Sequence, residues 1–150
     1  MGRFRCLVES EEGRERFRAK YRIPPIVGMR YAAQREWIDN RKEGEVVFPM
    51  IAFIEGGMTI PMGNITRNYL RFFTLSSTQC ASNIFKVLGS IEALNERMNL
   101  GLTHHDVNWV YNLYHLKGRY YLKSRHPEVR LIQCLPTSNK GMKEDFFNLF

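Results

Sequence analysis

The sequence predicts a mainly helical α+β domain, a helical core with one antiparallel β-hairpin near the C-terminus. Three observations predict it. Apolar residues recur with a helical period over 65–73 and again over 83–99. Thr103-His104-His105-Asp106 carries a helix-start pattern directly before an apolar run. Beyond Gly118 the period changes to two, over 119–124 and 129–135, with His126-Pro127 between the two stretches. The expected core is Phe53, Phe72, Phe85, Leu88, Val110 and Tyr111.

At 150 residues, with 44% apolar residues, ten Phe, seven Tyr and two Trp, the chain can bury a core and is too rich in core-formers for disorder. No apolar run approaches the ~20 residues of a membrane-spanning helix. Residues 1–22 lack the apolar segment of a secretory signal. An intracellular protein, nuclear or cytoplasmic and without membrane contact, is therefore expected. Cys6 stands where a myristoylation pattern needs Ser or Thr. Cys6, Cys80 and Cys134 are odd in number and far apart, and fit neither a disulfide framework nor a zinc motif. They read as reduced thiols. Without a secretory signal, the glycosylation match at Asn64-Ile65-Thr66 carries no weight.

Taken in order, 9–21 reads as a helix, with Ser10 as cap, Glu11, Glu12 and Glu15 near its start and Arg16, Arg18, Lys20 and Arg22 near its end. Its apolar face is only Phe17 and Tyr21, so it is expected at the surface. Ile23-Pro24-Pro25-Ile26 forces an extended link, and 31–37 allows a further helical turn or two. The polar stretch 39–45 reads as a loop. It separates a basic N-terminal arm, 1–43, from a compact domain, 44–150. A helix over 48–55 stops at Gly56-Gly57, and Met58-Thr59-Ile60-Pro61-Met62 stays extended because Pro61 cannot sit inside a helix. The next helix, 65–73, has Asn64 as cap and Ile65, Tyr69, Phe72 and Phe73 as its core face. Helix 83–99 turns Ile84, Val87, Leu88, Ile91, Leu94 and Met98 to one side and stops before Gly101. Helix 104–115 is apolar almost all round, which normally means buried, so Trp109 and Tyr111 are both expected inside. Trp109→Ala should then cost about 3–5 kcal/mol. Lys117-Gly118 ends this helix. The hairpin 119–135 follows, with 125–128 as its loop, and then a turn over 137–141. The chain ends in Asp145-Phe146-Phe147-Asn148-Leu149-Phe150. This ending reads as a cut within an element, so a fragment is expected.

No catalytic or metal-binding set emerges, and no cofactor is expected. Adjacent His104 and His105 on a helix diverge by about 100° and cannot chelate as an i, i+4 pair can. Asp106 reads as a capping residue. An acidic triad of Asp39, Asp106 and Asp145 would need carboxylates borne on a mixed sheet. Gly56-Gly57 and Gly63 lack the following Gly-Lys-Ser/Thr of a phosphate loop. Ser76, Ser77 and Ser138 sit in turns without a base signature. The charge is more informative. Net charge is +7, with eleven Lys/Arg against six Asp/Glu in 1–42 and five against one in 117–130. On the hairpin, cations and aromatics interleave: Lys117, Arg119, Tyr121, Lys123, Arg125 and Arg130. That mix suits phosphate neutralisation and base stacking, and a charged hairpin also guards a sheet edge against aggregation. Alternation sends Tyr120 and Leu122 to one face and Tyr121 and Lys123 to the other.

The pattern Phe53-x-Glu55-Gly56-Gly57-Met58-x-Ile60-Pro61-Met62, followed by the helices NYLRFFTLSSTQ and NIFKVLGSIEAL, resembles the gypsy-type transposon domain of plant retroelement-derived proteins. The stretches LTHHDVNWVYNLYHLKGRYYLKSR and EVRLIQCLPTSNKGMKEDFF also resemble it, so the likeness spans roughly 44–147. It implies a domain with no catalytic residues, often continued by a longer chain, and a strand starting at the Phe146-Phe147 pair. The function expected is a non-enzymatic retrotransposon-derived domain, Gag-like in self-association or in weak contact with RNA or DNA. The alternative is a host protein-interaction module without nucleic acid. A metal-dependent nuclease or transposase ranks behind both.

Overall fold

The computed structural model describes residues 3–32, 42–129, 131–132 and 146–150. In chain order these form α1 (Glu11–Lys20), β1 (Met29–Ala32), β2 (Val46–Pro49), α2 (Met50–Ile54), α3 (Asn64–Phe72), α4 (Ser82–Met98), α5 (His104–Val110), β3 (Tyr111–Leu116), β4 (Arg119–Ser124) and β5 (Phe146–Leu149). Short 3-10 turns lie at Arg5–Leu7 and Ser77–Gln79. The fold is α+β and mainly helical, as the periodicity predicts, with an antiparallel hairpin toward the C-terminal end.

Ser10 caps α1 by accepting a hydrogen bond from the Gly13 N–H at 3.0 Å. The surface position expected for this helix is corrected by its packing. Phe17 is buried, its ring 6.2 Å from that of Phe53, and Val8 and Ile23 belong to the same core cluster. A two-residue apolar face is enough when one of the two is a Phe that inserts fully. The helical turn expected over 31–37 is not found in its described part, because Tyr31 and Ala32 belong to β1; the remainder lies outside the described residues, as do most of the loop 39–45 and the turn 137–141.

A three-stranded antiparallel sheet adds to the single hairpin that was expected. β5 is its centre, with β1 and β2 on either side: Leu149 lies opposite both Met29 and Val46, and Phe146 opposite both Ala32 and Pro49. Pro49 closes β2 and leads directly into α2, so the apolar run 46–54 is half strand and half helix.

All five helices contribute to one core, in which Phe53, Tyr69, Ile84, Phe85, Leu88, Ile91 and Tyr111 are almost fully enclosed. Two details of the expected faces are corrected. On α3 the buried residues are Ile65, Thr66, Tyr69 and Leu70, and Phe72 is 54% exposed. The buried stripe is therefore rotated by one position. The helix also starts one residue earlier, with Gly63 at the N-cap rather than Asn64. Its first N–H groups are satisfied from α4, where the Glu92 carboxylate accepts hydrogen bonds from the Ile65 N–H and, at 3.1 Å, the Thr66 N–H. A side chain at Gly63 would push that carboxylate off these N–H groups. On α4, Ile84, Val87, Leu88 and Ile91 are buried as expected, while Met98 is 62% exposed. Asn99, at φ 49°, ends α4 in the left-handed conformation.

The largest correction concerns 104–115. The helix ends at Val110, and Tyr111 is already extended, at φ −116° and ψ 144°. Residues 111–116 form the first strand of the hairpin, and Arg119–Ser124 is its second strand, not its first. Val129, Leu131 and Ile132 are not in a strand, and the rest of the second strand expected at 129–135 lies outside the described residues. Lys117 and Gly118, expected as a helix stop, are the two central residues of the turn. Both have positive φ, 51° and 76°, as a type I′ turn requires. Lysine accepts that conformation at a cost, whereas Asn-Gly is the favoured pair. Lys117→Asn should therefore raise stability by about 0.5–1 kcal/mol in chemical denaturation.

Candidate nucleic-acid interface

The hairpin is seated by its backbone. Asn83, buried at the start of α4, donates from Nδ2 to the Leu122 carbonyl at 2.9 Å and accepts from the Leu122 N–H at 3.3 Å. The Ala81 N–H donates to the Tyr120 carbonyl at 2.7 Å. These bonds fix β4 against the start of α4, and β3 lies on the other side of β4. At the base of the hairpin, the Arg125 N–H bonds the Val110 carbonyl at 2.9 Å. The Tyr111 hydroxyl accepts from the N–H groups of Leu131 and Ile132, at 3.1 and 3.3 Å.

Pairing decides the faces. Leu113 is opposite Leu122, and both join the core cluster, as do Tyr111 and Tyr120. The other face carries Asn112 opposite Lys123, Tyr114 opposite Tyr121 and Leu116 opposite Arg119. There the Tyr114 and Tyr121 rings lie nearly parallel, inclined by 23° with centroids 5.7 Å apart. The Lys123 ammonium sits 5.8 Å from the Tyr114 ring centroid, within cation–π range. Tyr121 packs on its inner side against Ile51 and Ala81.

The sequence candidates are therefore not equivalent. Lys117 stands exposed on the turn, and Lys123 is exposed on the outer face. Arg125 is exposed just past β4, its guanidinium bonding the Asn108 carbonyl through Nε at 3.0 Å and Nη2 at 2.8 Å. Arg119 is half-buried and donates to the Thr78 carbonyl at 3.3 Å; burial lowers its pKa, but a guanidinium stays charged at neutral pH. Tyr121 is half-buried and half of an aromatic pair. Arg130 lies outside the described residues. Tyr114 is not among the sequence candidates, because it falls inside the helix expected over 104–115. Recognising Lys117-Gly118 as a hairpin turn would have set it opposite Tyr121. Residues 107–127 contain no Asp or Glu, so the hairpin surface has one sign of charge.

The remaining reactive side chains are explained by the fold. The His104 and His105 rings do not diverge but face each other, 4.0 Å apart, with Phe72 5.6 Å from each. Burial, and then His105, lower the His104 pKa. Asp106 closes the expected capping box, accepting from the Thr103 N–H at 2.7 Å, a bond that holds its carboxyl below the usual range. Asp39 and Asp145 of the imagined acidic triad lie outside the described residues. Among the described residues no three His, Cys, Asp or Glu are grouped to hold a metal. Cys6 is exposed, whereas Cys80 is buried and its thiol is pushed up to about 12 by desolvation, which makes it a poor nucleophile. Ser77 donates to the Val47 carbonyl at 2.8 Å and ties the 3-10 turn to β2. Among the described residues no helix is long and apolar enough to cross a membrane. Comparison with known proteins finds no matching family model, no matching curated protein and no matching solved structure.

Proposed function

We propose that this chain is a non-enzymatic, retroelement-derived domain that contacts RNA or DNA through the outer face of the β3–β4 hairpin. The observation that carries the reading is the stacked Tyr114–Tyr121 pair with the Lys123 ammonium beside it, on a hairpin whose residues 107–127 include no Asp or Glu. Phosphates would meet Lys117, Lys123 and Arg125, with Arg119 adding charge from the edge. The likeness of 44–147 to the gypsy-type transposon domain supports the same reading. Contact through a hairpin face of cations and aromatics would be electrostatic and indifferent to base sequence. The reading goes with an intracellular location, nucleus or cytoplasm.

Binding of fluorescent oligonucleotides, followed by anisotropy over a salt series, tests this reading. Affinity should fall steeply with salt, and Lys123→Glu with Arg125→Glu should weaken binding at least about tenfold at low salt, equally for unrelated sequences. The salt slope should drop by about one to two, the share of two lost phosphate contacts. Equal binding by the double variant would leave the charge as a solvated hairpin edge. The second reading, a protein-interaction or self-association module, is favoured by the exposure of Trp109 and Leu116. It would then take over.

A further inference from the structure

We propose that the cleft beside Trp109 is a base-stacking subsite for a single-stranded polynucleotide. The proposal rests on the nucleic-acid reading of the hairpin and adds a second, chemically distinct contact to it. The cleft has a volume of about 520 Å³ and lies between α5 and the segment leaving β4. His105, Asn108, Trp109 and Val110 line it from one side, and Arg125, His126 and Val129 from the other. Trp109 is 83% exposed. An indole that open to water contributes little to the core, and its flat face is available to a partner.

The chemistry of the lining selects the partner. One guanidinium and two imidazoles line the cleft with the indole, and among the described residues no carboxylate lines it. Both bonds from Arg125 to the Asn108 carbonyl hold the guanidinium at the cleft, and its other N–H donors remain for an anion. A flat aromatic group joined to an anion is the matching ligand, and the repeating unit of a polynucleotide is both. Trp109 would take the base face, and Arg125 with His126 the adjoining phosphate. A duplex does not fit, because its base faces are already stacked within the helix. Arg125 lies two residues beyond Lys123, about 7 Å along an extended chain, so the cations of the hairpin face lead into the cleft. One strand could thus cross the Tyr114–Tyr121 face and end with a base on Trp109.

The test uses the full chain labelled with nitrogen-15. Its indole N–H resonances belong to Trp37 and Trp109, and Trp109→Phe assigns them. Addition of a 12-nucleotide oligouridylate should shift or broaden the Trp109 resonance, and a DNA duplex of the same length should leave it in place. Trp109→Ala should weaken oligouridylate binding about tenfold or more, the range for losing one stacked base. Trp109→Tyr should restore most of it. The salt slope should not change in Trp109→Ala, because no charge is removed. If the oligonucleotide binds while the Trp109 resonance stays fixed and Trp109→Ala binds like the parent, the subsite is refuted and the hairpin reading stands. If neither single strand nor duplex binds, both fall. A shift equally strong with duplex overturns the single-strand assignment. A Trp109 resonance that moves with protein concentration alone, together with a dimer in sedimentation, gives the cleft to a second copy and overturns the proposal.

Discussion

Tyr111→Ala is expected to cost about 3–5 kcal/mol, whereas Trp109→Ala, two residues earlier, should cost less than about 1 kcal/mol. The contrast reverses what an all-round apolar helix over 104–115 implies. Tyr111 is 1% exposed and stands where α5 becomes β3, with its ring in the main core and its hydroxyl holding two backbone N–H groups of the following segment. Truncation removes a large buried ring and leaves those N–H groups without their acceptor. Tyr111→Phe separates the two effects, since it keeps the ring and should cost only about 1 kcal/mol for the lost hydrogen bonds. Trp109, in the last turn of α5, has almost none of its surface in the core. Chemical denaturation of the three variants checks the ordering. A large loss in Trp109→Ala with a small one in Tyr111→Ala would restore the longer helix.

The difference between the expected helix and the observed strand has a physical cause. Residues 107–115 are apolar and aromatic without a clear period, and such a run suits a buried helix or a strand equally. What decides between them is distant from the run itself: the positive-φ turn at Lys117-Gly118 and the pairing surface offered by 119–124. The three-stranded sheet was illegible for a similar reason. Each strand is four residues long, and β5 lies about a hundred residues beyond the strands it joins, so only the folded chain brings Phe48 opposite Phe147. Where local pattern alone decides, the sequence was informative. The Ser10 cap, the Thr103–Asp106 capping box and the buried stripe of α4 all stand where the residues place them. The basic and aromatic composition of 117–125 was equally legible. Its partner Tyr114 was not, because that pairing needs the correct hairpin register.

Asn83→Ala should destabilise the fold by about 2–6 kcal/mol, a large effect for a residue with so small a side chain. Asn83 is 8% exposed, and its amide satisfies both backbone groups of Leu122 in the interior. Alanine leaves a buried N–H and a buried carbonyl unpaired, each costing about 1–3 kcal/mol. The damage should be local. In hydrogen exchange the Leu122 amide should lose protection before those of α4. Asn83→Asp tests the donor separately. An ionised carboxylate can accept from the Leu122 N–H but cannot donate to its carbonyl, and burial opposes its charge. Its folded pKa should therefore lie above the unfolded value of about 3.9. The proton taken up on folding then makes the variant most stable below that unfolded value, with stability lost as pH rises through the folded pKa. A flat stability profile relative to the parent between pH 3 and 7 would show that the clamp does not act through this amide. Weaker oligonucleotide binding by Asn83→Ala under conditions where it remains folded would tie the seating of the hairpin to its proposed use. The outer face carries Tyr114, Tyr121 and Lys123 in one geometry only while β4 is held at Leu122.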